Sequence, residues 1–131
     1  MRTDYVSAPA ELLPPTAEEV ERTTGRRPVV YVVQETTLNI TPAARFGELQ
    51  VLLPARAQVL ITPQPLVRLL RGQLRGYTEH DYVLPVGDPV AIGAATALAA
   101  EPACGAVRLL KWDRQESRYY QVVLRLWGAG S

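Results

Sequence analysis

The chain has 131 residues and 14.4 kDa, is 47% hydrophobic and 21% charged, and carries a formal net charge of +1; that size and balance suit one ordinary globular domain whose core needs no cross-links. A single cysteine, Cys104, and a single histidine, His80, exclude a disulfide framework and a Cys/His zinc site within one chain. No apolar run approaches the roughly 20 residues that span a bilayer, and Asp4 and Glu11 interrupt the opening segment where a secretory leader is apolar. The expected setting is therefore reducing and cytoplasmic, with no membrane contact and no cofactor.

Residues 1–15 are rich in proline and alanine without a period and read as an extended arm, followed by a single domain over 16–131. Thr16 and Glu19 form a capping-box pattern, Val20 supplies an apolar contact, and Gly25 closes a short first helix. The run Val-Val-Tyr-Val-Val at 29–33 is β-branched and almost continuously apolar, which suits a central strand covered on both faces. Thr41-Pro42 opens a single helical turn ended by Gly47, and 49–53 is the next strand. Residues 58–61 read as a further short strand leading into a Thr62-Pro63 helix start, because a cap oxygen followed by proline satisfies a first turn at no cost.

The helix after Thr62 is amphipathic. At 100° per residue Leu66, Val67, Leu70, Leu74 and Tyr77 fall within about 100° of arc, while Arg68, Arg71 and Arg75 cluster within about 60° on the far side. Gly72 has no evident role, and Gly76 reads as the terminus. Residues 82–86 form a strand that Pro85 pushes toward an edge or a bulge. After the Gly87 turn, Asp88-Pro89 opens a helix over 90–100 that is apolar around nearly its whole circumference, which predicts burial on several sides. Strands at 106–112 and 119–127, joined by the polar turn 113–117, make a hairpin. The fold class is α/β or α+β: one domain with a mixed sheet of about five to six strands, two main helices and a C-terminal β-hairpin.

Thirteen of the fourteen basic residues are arginine, which a GC-rich genome explains as readily as a binding site does; clustering separates the two. No acid lies between Glu48 and Glu79, an interval holding Arg56, Arg68, Arg71 and Arg75. The stripe Arg68, Arg71 and Arg75, extended by Arg56, Lys111 and Arg114, is the candidate for DNA or RNA phosphates, against the plainer reading of a solvated face. Tyr119, Trp127 and Arg125 on the last strand are candidates for docking a host protein or a second copy, against the plainer reading of aromatics in a second core.

Catalytic signals are weaker. The Gly87-Asp88 turn lacks any phosphate-binding glycine pattern and places a carboxylate where an anion would sit, so a capping role is expected for Asp88. Glu79, His80 and Asp81 gather the one histidine with carboxylates but bring no second metal ligand; a solvated loop is the plainer reading. Cys104 has no nearby base and reads as a buried or inert thiol, and Asn39-Ile40-Thr41 as an unused glycosylation acceptor.

The stretches 81–93 and 109–115, followed by Tyr119-Tyr120, resemble segments of small uncharacterised accessory proteins of tailed bacteriophages. The resemblance covers roughly the last half of the chain. It implies a phage or prophage origin, brings no catalytic residues, and favours a non-enzymatic role: nucleic-acid binding through the arginine-striped helix first, a protein-interaction module using the hairpin second.

Overall fold

A computed structural model describes residues 13–56 and 64–128 of the chain. Three α-helices, a 3-10 helix and five strands follow the order α1 (Ala17–Thr24), β1 (Val29–Gln34), the 3-10 helix (Thr41–Arg45), β2 (Glu48–Leu53), α2 (Gln64–Gln73), β3 (Tyr82–Leu84), α3 (Pro89–Ala100), β4 (Ala106–Asp113) and β5 (Arg118–Arg125). The five strands form one mixed sheet in the order β2-β1-β3-β4-β5, parallel except for the antiparallel β4–β5 hairpin. Most of the arm 1–15 and the strand expected at 58–61, with its Thr62-Pro63 cap, lie outside the described residues.

The route of the chain explains the layers. From β1 it moves outward to β2, then reverses across β1 to β3 and β4, and right-handed crossovers put connections of opposite direction on opposite faces. Ala43 of the 3-10 helix and Phe46 accordingly pack with Val30, Val32, Tyr82, Leu84, Leu110 and Tyr119 on one face. On the other, α2 and α3 pack with Tyr31, Val33, Val83 and Val107. β1 is central, as its apolar run requires, and alternate residues of that run feed the two cores.

Local signals decide most element ends. Thr16 and Glu19 close the capping box in both directions, and Gly25 ends α1 in the left-handed region at φ 78°. Asp88 accepts the Val90 N–H at the start of α3. Gly47, the residue before β2, lies so close to the entry of β1 that a Cβ would sit 2.7 Å from the Pro28 carbonyl oxygen, which excludes any larger residue. Asp113 accepts the N–H groups of Gln115 and Glu116 and so folds the hairpin turn.

Several expectations are corrected. Thr41 does not cap: Ile40 occupies the cap position without a side-chain bond, and the Thr41 N–H instead donates to Asn39 Oδ1, since the turn is 3-10 and an Asx turn already satisfies it. α3 is not buried all round; Ala91, Ala95, Leu98, Ala99 and Ala100 face the core, while Val90 is 59% exposed and Gly93 and Ala97 are exposed on the outer side. Its uniformly small apolar composition hid which side meets the sheet. Pro85 does not send its strand to an edge. β3 lies between β1 and β4, and Pro85 instead cuts it to three residues. Cys104 is exposed, in a turn at φ 56°, rather than buried. Around Gly72 there is open space, so nothing in the packing explains that glycine.

One buried polar knot ties the entry ends of β1 and β3. The Asp81 carboxylate, wholly buried, accepts the Val29 N–H at 2.8 Å, the Thr78 N–H at 2.8 Å, the Thr78 hydroxyl at 3.1 Å, and both terminal nitrogens of Arg26 at 3.2 Å. Beside it the Tyr77 hydroxyl donates to the Asp81 carbonyl and accepts the Arg108 N–H, linking β4 to the same point. Burial pushes the Tyr77 phenol well above its ordinary value.

Asp81→Asn is expected to be almost as damaging as Asp81→Ala, about 3 kcal/mol or more, because either amide orientation turns a donor toward a buried N–H. Arg26→Ala should cost less, since the backbone donors keep their acceptor; urea midpoints at unchanged m-value measure all three. A second expectation concerns alkaline pH. The unfolded chain releases the Tyr77 proton above about pH 10 while the folded protein retains it, so stability present below that pH is lost as pH rises. Tyr77→Phe should remove one proton's share of that slope; an unchanged slope between pH 10 and 11 would show that Tyr77 ionises in the folded state.

Candidate functional site

Open, mostly parallel sheets bind ligands at the carboxyl ends of the strands, where the strand order reverses; here that switch point lies between β1 and β3. It is filled by the protein itself. Gln34, last residue of β1, accepts the Asp88 N–H on Oε1 at 2.8 Å and donates from Nε2 to the carbonyls of Pro54 and Ala55 at 3.1 and 3.3 Å. Gly87, at φ 114°, leaves the room: a Cβ would collide with the Gln34 side chain. The turn therefore serves as a buttress between β1, β2 and β3, with the Asp88 carboxylate turned to capping.

The sheet opens one strand further on. The Asp88–Gln34 bond ties the chain after β3 to β1, and β3 ends at Leu84 while β4 runs on to Asp113. A groove of about 780 Å³ results. Its walls are Leu38, Ile40 and Pro42 before and within the 3-10 helix, Leu84, Pro85 and Val86 at the end of β3, and Leu110, Trp112 and Tyr119 of the hairpin, with Lys111 as the one charged residue along it among the described residues. Leu38 is 67% exposed and Trp112 is 41% exposed at its mouth, a large apolar display for a protein of this size. A smaller hollow of about 420 Å³ adjoins it, lined by Lys111, Trp112, Arg114, Gln115 and Tyr120.

Against these features the sequence candidates separate. Arg68 and Arg71 are exposed on α2, as the helical angle requires, and Arg75 is exposed in the turn after it, because the helix ends at Gln73 and not at Gly76, while Leu66, Val67, Leu70, Leu74 and Tyr77 face inward. Arg71, however, binds Glu101 of α3 through two hydrogen bonds of 3.0 and 3.1 Å, and those bonds hold the Glu101 carboxyl below the ordinary carboxylate range. Arg56 is exposed after β2. Lys111 and Arg114 come together instead beside Trp112 in the smaller hollow, on the hairpin and not on α2.

Tyr119, expected as an exposed anchor, is only 6% exposed; its ring meets Trp112 edge-on at 4.8 Å and burial raises its phenol. The exposed aromatic of that pair is Trp112. Register explains the exchange: Trp112 lies opposite Tyr119 at the end of the hairpin, where the 3-10 helix covers one partner and leaves the other at the groove mouth. Trp127 is 48% exposed and Arg125 is exposed at the far end of β5. Asp81 is locked in the knot and Asp88 in the cap. Glu79 and His80 sit 3.5 Å apart in the turn before β3, at the strand end opposite Asp88. Among the described residues no three His, Cys, Asp or Glu side chains gather as a metal site, and no helix is long and apolar enough to cross a membrane.

The groove residues that sequence reasoning missed, Leu38, Ile40, Pro85 and Val86, carry no chemical signature; only the early stop at Pro85 hinted at a gap. The fold is thus a mixed α/β sheet with a closed switch point and an open apolar groove. The chain belongs to the Phage Pam3 gp32-like protein family, whose model matches residues 28–126. That span runs from the residue before β1 to just past β5, the entire sheet. No curated protein and no solved structure matches the chain.

Gln34→Ala should destabilise by about 2 kcal/mol, through the lost bonds to the Asp88 N–H and two carbonyls. Gly87→Ala should destabilise further, by collision and by an unfavourable φ. Thermal melts check both; equal stability for Gly87→Ala and the parent would mean the turn is not held as described.

Proposed function

We propose that the chain is a non-enzymatic phage accessory protein that works by protein interaction, receiving an apolar segment of a partner protein in the groove between the 3-10 helix, the end of β3 and the hairpin. One observation carries the reading: Leu38 and Trp112, large and apolar, are exposed on either side of a preformed apolar groove. A tryptophan beside a cavity, flanked by cations, is the composition of an interface anchor. Nucleic-acid binding through α2 draws less support, because Arg71 is engaged by Glu101 and exposed Leu69 shares the outer surface with Arg68 and Arg75.

The test places a photo-crosslinking phenylalanine derivative at position 38 of the full chain, in cells carrying the phage or prophage genome. The expected result is one protein adduct that Trp112→Ala abolishes and the double variant Arg68→Glu, Arg75→Glu leaves intact, with circular dichroism showing both variants folded. Adducts insensitive to Trp112→Ala would overturn the reading. So would tight oligonucleotide binding that falls steeply between about 50 and 200 mM salt and disappears in the double arginine variant.

A further inference from the structure

The groove has a polar floor that its apolar walls conceal. In the β4–β5 pair the Leu126 N–H bonds the Gly105 carbonyl, and on the opposite side of β4 the Arg108 N–H bonds the Tyr77 hydroxyl. Backbone groups of a strand alternate in direction, so residues 107, 109, 111 and 113 turn theirs toward β5, while 106, 108, 110 and 112 turn theirs toward β3. β3 pairs with β4 only at Val83↔Leu109 and ends at Leu84. The next residue is Pro85, which has no N–H to offer the Leu110 carbonyl. One step on, the chain has turned to β1, and nothing of β3 lies opposite Trp112. The Leu110 carbonyl and the Trp112 N–H and carbonyl therefore face a notch in the middle of the sheet, at the floor of the groove.

We propose that this notch takes an extended peptide segment of a partner protein, acidic and apolar in alternation, which adds a short strand beside β4 where β3 stops. The inference rests on the protein-interaction reading and gives its mode: main-chain pairing supplies the register and the apolar walls supply side-chain pockets. Charge and alternation fix the partner's chemistry. Leu110 and Trp112 point to the sheet face that carries Ile40, Leu84 and Tyr119, which calls for apolar residues, whereas Lys111 points to the opposite face. With Arg114 beside it, Lys111 calls for carboxylates on the alternate positions. A nucleic acid offers the charge but neither the ladder nor the apolar residues.

The probe is the synthetic peptide acetyl-Asp-Val-Glu-Val-Asp-amide, titrated into the ¹⁵N-labelled full chain, together with two derivatives N-methylated either at both valines or at the three acidic residues. A strand turns only every second N–H toward its neighbour. Strand addition therefore predicts that one derivative binds roughly tenfold or more weakly than the parent while the other binds about as well. The parent peptide should move the Trp112 amide resonance and slow its hydrogen exchange, and Lys111→Glu should weaken it roughly tenfold. Equal binding by both derivatives overturns the inference and leaves a side-chain pocket, with the protein-interaction reading intact. Perturbation centred on the Gln121 and Val123 amides overturns it as well, because those lie on the outer edge of β5. Absence of peptide binding overturns it too, and a Trp112-dependent crosslink from position 38 then shows that the broader reading has survived.

Discussion

The Asp81 knot is the constraint on which the rest of the molecule depends. A parallel sheet has no tight turns to fix its register, so β1 and β3, separated by some fifty residues of chain, need a common anchor at their entry ends. A buried carboxylate serves because it accepts several bonds at once and is costly to leave unsatisfied. Its acceptors bind β1 through Val29, the preceding turn through Thr78 and the α1–β1 link through Arg26. Through Tyr77 the same point reaches β4. With the entry ends fixed in this way, differences in strand length accumulate at the carboxyl ends, and that is where the groove forms.

There the molecule treats two adjacent gaps differently. The gap between β1 and β3 is closed by Gln34, whose amide matches two carbonyls and an N–H and whose bulk is accommodated by Gly87. The gap between β3 and β4 stays open because Pro85 ends the pairing while β4 continues in step with β5. A closed core and an open apolar groove thus lie side by side, and the apolar exposure of Leu38 and Trp112 does not compromise either core.

Much of the fold was legible because its signals are local. Thr16, Glu19 and Gly25 mark α1; Asp88 marks the start of α3; the run 29–33 marks a central strand; and the period of α2 separates its arginines from its core residues. Each depends on contacts within a few residues. What misled were residues whose meaning depends on a partner far along the chain. Pro85 signals an interrupted ladder but not whether the strand lies at an edge or in the middle. Arg71 belongs to a clear stripe, yet its acid partner, Glu101, lies on another helix. Tyr119 and Trp112 are interchangeable by composition, and only the placement of the 3-10 helix decides which is covered.

The sequence by itself determined the class of fold, the capped helices, the final hairpin, the kinship with phage proteins and the lack of any arrangement suited to a disulfide or zinc framework. These follow from periodicity, capping chemistry and residue counts, which are properties of neighbouring positions. Only the tertiary structure decided the strand order, the role of Asp81, the plug at Gln34 and the groove at Trp112. Each of these arises where segments distant in sequence meet, and burial, hydrogen-bond satisfaction and exposed surface exist only once the chain has closed on itself.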